Sequence, residues 1–399
     1  MNFLVPYLMR WNSLNRSRYY QLFVRLAQQG HSIHILQPPV TQKSTDTGFV
    51  SIDAASHPGI TLYDIPVNQF FWEMWLPFEK IFKKGYYCFL INRQIKKWID
   101  DLSIDVLLFY NLALYPLSQI KSCITIYDLG DDHIELLKAE LGPFAFQWMT
   151  NLAQGWMCRM MRQSSLVMTV SKDLEKKYPV SSTLLPNGIN LEEIHPGSGQ
   201  TLRDSFEKPI IGFVGSLEYF IDFDSILEVA SRLPKITFLI AGGGRQMPRI
   251  IAMKQARGLA NVHLTGGLPH DKILEAIDAM DICLNLFIKS PLTDAACPIK
   301  LFEYMAYKKP VISSRIREVQ NIDEGFLYYA DTPDELEQVI RWILDHPKEA
   351  AEKGERGFQL VEEKYTWDKI TERFLQAIEV DKIARRSALQ VRGDSRIAP

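Results

Sequence analysis

The chain has 399 residues, 47% hydrophobic and 23% charged, with a formal net charge of −2. That length and balance suit a globular chain of two or three domains, and a charge so near zero gives no global field for nucleic acid. No apolar stretch is long enough to span a bilayer, and the start "MNFLVPYLMRWNSLNRSRYY" is too polar for a secretory signal. The five cysteines (Cys88, Cys123, Cys158, Cys283, Cys297) show no C-x-x-C or zinc spacing, which points to a reducing, cytoplasmic compartment.

In chain order, short runs rich in Val, Ile and Leu alternate with longer amphipathic segments. The first half offers "HSIHIL", "ITLYDI", "IDVLLFY", "CITIYDL" and "SLVMTVS"; the second offers "PIIGFVG", "ITFLIAG", "VHLTG", "DICLNLF", "PVISS" and "FLYYA". Near-continuous apolar strands separated by helices indicate parallel sheets buried on both faces. Two such sets predict an α/β chain of two Rossmann-like, doubly wound domains. The expected division is residues 1–190, a Pro-, Gly- and charge-rich linker over 191–208, and a second domain over 209–365. A helix over 366–380 follows, and the basic, polar tail 381–399 is expected to be disordered.

Ligands of open parallel sheets bind beyond the carboxyl ends of the strands. In the second half glycine stands at nearly every such end: Gly215, Gly242–Gly244 and Gly266–Gly267. Turn chemistry explains any one of them; three in one sheet favour a ligand. "GGGRQM" is not a dinucleotide fingerprint, because Met247 stands where the third glycine belongs, so a nicotinamide oxidoreductase is disfavoured.

Between "DICLNLF" and "PVISS" lies "TDAACPIKLFEYMAYKK". Pro298 suits a helix start, the free N–H groups of a first turn favour an anion, and Lys300 adds a full positive charge. Glu303, one turn on, can accept the hydroxyl protons of a ribose diol. The plain alternative is a surface Lys–Glu pair worth about 0.2–0.5 kcal/mol. In the first half, "DLGDDH" (Asp128–His133) follows a strand. Either Asp131 or Asp132 caps the next helix, leaving the other as an acceptor-side candidate, with His133 as a candidate general base. Arg16 and Arg18 stand where an anionic acceptor or plain solvent would meet them. Phe70–Trp98 mixes aromatics with Lys80, Lys83, Lys84, Arg93, Lys96 and Lys97, as an interfacial helix or a core helix with a solvated basic face would.

"PIKLFEYMAYKKPVIS" resembles the P-x-K-x-F-E-Y-x-A-x-x-K-P-V-I pattern of bacterial family 4, or group 1, glycosyltransferases. "TVSKDLEKKY", "LLPNGIN", "IGFVGSLEYFIDFDSIL" and "NVHLTGGLPHDKILEAIDAMDICLNLF" match the same family in order. The resemblance covers most of Ser165–Ile378. It implies the GT-B fold, two Rossmann-like domains facing each other across a cleft. It also implies a retaining transfer of sugar from a nucleotide-diphosphate sugar to a glycan or lipid-linked acceptor, in cell-surface polysaccharide biosynthesis. By the same resemblance Glu303 binds ribose, and Lys300 with the turn at Pro298 and Ile299 binds diphosphate or sugar. Gly215, Ser216 and Gly243 approach the donor, and Gly267 and Leu268 lie near the base. No cofactor and no metal is expected. An anionic membrane surface is a further expected partner, placing the chain in the cytoplasm at the inner face of the membrane. Four stretches depart from the pattern, the first being "RWNSLNRSRYY" in place of an N-terminal Gly-rich loop. Ala295 replaces the first glutamate of the E-x7-E pair, with Asp294 beside it as a substitute catalytic carboxylate. "SLEYFIDFD" carries no Arg or Lys, and Tyr127–Asp128 replaces a His–Asp pair. A non-catalytic member of the same fold is the alternative that these departures leave open.

Overall fold

The computed structural model describes residues 1–8, 10–11, 17–38, 57–65, 79–142, 146–178 and 180–394. The chain divides into two compact units, Met1–Pro186 with Asp368–Pro399, and Asn187–Trp367.

In the first unit the described strands are β1 (Asn2–Pro6), β2 (Ser32–Gln37), β3 (Ile60–Asp64), β4 (Val106–Phe109), β5 (Ile124–Leu129), β6 (Leu166–Thr169) and β7 (Thr183–Leu184). They form one sheet in the order β3-β2-β1-β4-β5-β6-β7, with every pairing parallel. The helices are α1 (Arg18–Gln28), α2 (Glu79–Asp101), α3 (His133–Leu141), α4 (Gln147–Gln163) and α5 (Lys172–Lys177), with a 3-10 segment at Leu112–Gln119. β4 and β5 are buried along their whole length, as apolar runs covered on both faces should be.

In the second unit β8 (Ile210–Val214), β9 (Thr237–Ala241), β10 (Val262–Leu264), β11 (Ile282–Asn285), β12 (Val311–Ser313) and β13 (Tyr328–Tyr329) are ordered β10-β9-β8-β11-β12-β13, again all parallel. Its helices are α6 (Gln200–Arg203), α7 (Phe223–Arg232), α8 (Met247–Ala256), α9 (His270–Ala279), α10 (Pro291–Asp294), α11 (Ile299–Ala306), α12 (Arg317–Ile322), α13 (Pro333–Asp345) and α14 (Pro347–Lys364). The strand order reverses between β8 and β11, which makes the crevice beyond their carboxyl ends the natural ligand position.

Residues 191–208, expected to be a linker, are instead fastened to the second unit. The Gly199 N–H donates to Asp278 at 2.8 Å, and the Arg203 guanidinium donates to the Ala279 carbonyl and pairs with Asp281. A Cβ on Gly199 would stand 2.3 Å from the Glu275 carbonyl oxygen, so only glycine permits that approach. Residues 381–394 of the tail expected to be disordered belong instead to α15 (Trp367–Asp394), and 395–399 lie outside the described residues. Its stretch Lys382–Val391 holds no Gly or Pro and is rich in Ala, Arg, Leu and Gln, all good helix formers.

Candidate functional site

Helix α11 is pinned to the switch point by one side chain. The fully buried Tyr304 hydroxyl accepts from the Val214 N–H at 3.0 Å and donates to the Leu284 carbonyl at 3.3 Å. Those partners belong to β8 and β11, the two strands that flank the reversal. The helix start is held as well, because the Asn187 side-chain amide donates to the Cys297 carbonyl at 2.7 Å. Pro298 is the residue just before the first helical position, with extended backbone angles. The first N–H groups of α11 therefore face away from any helical partner.

Lys300 lies in the first turn and is only partly accessible. Its ammonium stands 3.9 Å from the centre of the Phe213 ring and 5.7 Å from that of Phe287. It has no hydrogen-bond or ion-pair partner among the described residues. Burial pulls its pKa down to about 7, with Glu303 pulling the other way. Glu303 is 8% exposed and makes no side-chain hydrogen bond or ion pair among the described residues. Burial raises its pKa, opposed by His270 and Lys300 and aided by Glu193. The surface Lys–Glu pair is thereby excluded. Both charges are desolvated and held apart, an arrangement that costs stability unless something else meets them.

The glycine loops close around this helix start. Gly215 ends β8 at φ +120°, and a Cβ there would lie 3.1 Å from Lys300 Nζ. The Gly215 N–H donates to the Ala241 carbonyl, and the Gly242 N–H donates to the Gly266 carbonyl at 3.1 Å. A Cβ on Gly242 would stand 2.0 Å from the Gly215 oxygen, and one on Gly243 3.3 Å from the Gly267 nitrogen. The ends of β8, β9 and β10 thus form one interlocked backbone rim. Ser216 and Gly267 on that rim are exposed, and Leu268 is half-buried.

Two further groups, one beside Glu303 and one on the β9 loop, were not anticipated. His270, the first residue of α9, places Nε2 3.2 Å from Glu193 Oε2, while the Asn190 amide holds the other oxygen at 3.0 Å. His270 follows the Gly267–Pro269 turn directly, a position that the glycine pattern alone would have flagged. Arg245, from the β9 loop, reaches the β8 loop that has no basic residue of its own. It pairs with Glu218 at 2.7 Å, and its guanidinium carbon lies 5.5 Å from the centre of the Tyr219 ring.

Asp294 is engaged elsewhere. It accepts the Arg317 N–H at 3.1 Å and pairs with that side chain at 3.4 Å, so it anchors the start of α12.

In the first unit, Asp132 is the cap. It accepts the Glu135 N–H, pairs with Lys177 at 2.5 Å and accepts from the Tyr178 hydroxyl. Asp131 is exposed as a residue, yet its carboxyl is raised to about 6. Loss of hydration is the main cause, Arg18 opposes it, and Asp128 and Asp132 add to it. His133 sets Nε2 2.8 Å from the Tyr110 carbonyl and so uses that nitrogen as a donor, which removes it as a base at that position. Arg18 is neither a surface residue nor an open anion receptor. It is buried, clasps Asp128 with two bonds of 2.9 Å and donates to the Pro186 carbonyl. Arg16 lies outside the described residues. Among the described residues no three His, Cys, Asp or Glu side chains gather as a metal site.

Two parallel sheets of these orders, each wrapped by helices, define the GT-B class of fold. Residues 208–346 match the family model of glycosyl transferases group 1. The chain is 29% identical over 163 residues to a putative teichuronic acid biosynthesis glycosyltransferase, TuaH, of Bacillus subtilis, covering 39% of this chain and 41% of that one. It is 25% identical over 192 residues to the D-rhamnosyltransferase WbpZ of Pseudomonas aeruginosa, covering 46% and 49%. The matched region is thus less than half the length of either relative. Among solved structures, sucrose-phosphate synthase from Thermosynechococcus elongatus superposes with a TM-score of 0.77 at 16% identity, over 96% of this chain and 100% of that one. Anabaena HepE in complex with UDP and glucose gives 0.70 at 12%, over 94% and 99%.

Proposed function

We propose that this chain is a retaining glycosyltransferase of cell-surface polysaccharide biosynthesis, moving a sugar from a nucleoside-diphosphate sugar to a glycan or lipid-linked acceptor. The observation that carries the reading is the desolvated, unpartnered pair Lys300 and Glu303 under a glycine rim. A diphosphate beside Lys300 and a ribose diol on Glu303 would satisfy both. In support, HepE, which shares the fold, was solved with UDP and glucose and also with UDP-glucose.

In this reading the anomeric C–O bond to the diphosphate breaks and its electron pair passes to the phosphate oxygen. Lys300 and the α11 start stabilise the charge that grows there. The acceptor hydroxyl attacks on the same face and its proton goes to the leaving phosphate. Neither a side-chain nucleophile nor a metal is required. Asp131 stands on the acceptor side.

Asp294, tied to Arg317, favours a second reading: a member that binds a nucleotide sugar without turning it over. A thermal-shift screen of UDP- and GDP-sugars selects the donor. Release of nucleoside diphosphate that depends on added glycan or lipid-linked acceptor then supports transfer. Donor binding with no acceptor-dependent release across the acceptor panel assigns the second reading, and no donor binding removes both.

A further inference from the structure

Helix α4 is amphipathic twice over. Thr150, Ala153, Met157, Met160 and Met161 are buried. On the opposite side Trp148, Leu152 and Trp156 recur at four-residue spacing and are 66%, 46% and 45% exposed, with Phe146 at 55% just ahead. The Trp156 ring is not loose, since it stacks on Tyr115 of the 3-10 segment with centroids 6.3 Å apart. Gln147–Gln163 contains no Asp or Glu, and Arg159, on the same stripe, is exposed together with Arg162. Helix α2 packs against the same 3-10 segment. It repeats the pattern, with Phe89 60% exposed and Arg93, Lys96 and Lys97 exposed behind it.

We propose that the outward face of α4, centred on Trp148, Leu152 and Trp156, is a docking surface for an anionic lipid bilayer. The stripe is a ridge on a convex helix, which suits a plane better than a groove. Indole rings favour the headgroup level, and arginines with no neighbouring carboxylate on the helix suit lipid phosphates. With its Gln, Asn and Arg residues, α4 lies in an interface rather than crossing it; among the described residues no helix is long and apolar enough to cross a membrane. The surface differs from the Phe70–Trp98 segment expected from composition. Residues 70–78 of that segment and the side chains of residues 79–84 fall outside the described ones, and only its later part, from Phe89 to Lys97, contributes here.

The test is sedimentation of the full chain with vesicles of phosphatidylcholine and phosphatidylglycerol, at low and high salt. No donor or acceptor is present, so the result is independent of the transferase reading. Binding at low salt that weakens with salt is expected. W148A/W156A and R159E/R162E should each reduce partitioning at least tenfold with unchanged melting curves, because these side chains are exposed. No low-salt binding, equal binding to neutral vesicles, or equal binding by both variants overturns the proposal. Self-association without lipid that W148A/W156A abolishes assigns the face to a second copy and overturns it as well.

Discussion

The ammonium nitrogen of Lys300 lies 3.1 Å from the point where a Cβ on Gly215 would stand, at a backbone angle that only glycine adopts easily. A side chain at 215 therefore both strains β8 and displaces the lysine. Gly215→Ala is expected to weaken nucleoside-diphosphate binding at least tenfold while the chain still melts cooperatively. Calorimetric titration beside a melting curve checks it; unchanged affinity would separate Gly215 from the site.

Lys300 and Glu303 should fail differently. Lys300→Met should lower turnover on the order of 10²-fold, as for loss of an electrostatic stabiliser, yet raise the melting temperature, because a desolvated ammonium without a partner is replaced by an apolar chain of similar length. Glu303→Ala should appear as weaker donor binding, by about 1.5–3 kcal/mol, the scale of a charged hydrogen bond. Steady-state kinetics with melting curves decide; two variants that merely unfold would make the helix start structural.

Proton uptake should accompany donor binding. With its pKa held at about 7, Lys300 is largely neutral at pH 8 in the free chain. A diphosphate beside it favours the charged form. Between pH 7 and the ordinary lysine value the unfolded chain holds this proton and the folded one does not, so this group makes the free protein more stable as pH rises across that window. The charged group that acts on Lys300 is Glu303. Titration with nucleoside diphosphate at pH 8 in two buffers of different ionisation enthalpy should show net uptake; none would contradict the role given to Lys300.

Asp131 should trade stability for function. Its carboxyl titrates near 6 folded and lower when unfolded. Its contribution therefore declines as pH rises from about 4 to 6, and the cost is in full force at pH 7. Asp131→Asn is expected to raise the melting temperature slightly at pH 7, an effect kept small because the residue is exposed and its charge is screened by solvent. Acceptor-dependent turnover should fall and donor affinity should hold. A lowered melting temperature would place Asp131 among the structural residues.

Much of this was legible in the sequence because it is local. Eleven of the thirteen described strands fall on the short apolar runs, all but β1 and the two-residue β7, and Lys300 with Glu303 sits in one short motif. β1 escaped notice although it sits inside the first sheet, because "NFLVP" runs straight into a polar aromatic stretch at the chain start. What stayed hidden depends on contacts far apart in the chain. Arg18 meets Asp128 across 110 positions, and Gly199 meets Asp278 across 79. Neighbouring carboxylates also look alike in one dimension: Asp132 is told from Asp131 only by the Lys177 and Tyr178 brought to it.

Helix α15 also bears on the order in which the protein is made. Phe374 lies fully buried 6.1 Å from Phe3 of β1, and Asp368 pairs with Arg25 of α1 at 2.7 Å. The unit that is begun first is thus completed last, since its cover leaves the ribosome only after the whole of Asn187–Trp367. The second unit can close during synthesis, while β1 waits with Phe3 uncovered. Nascent chains stalled after Trp367 should accordingly resist protease across residues 187–367 before they do so around β1; the reverse order would show that the first unit does not depend on its distant helix.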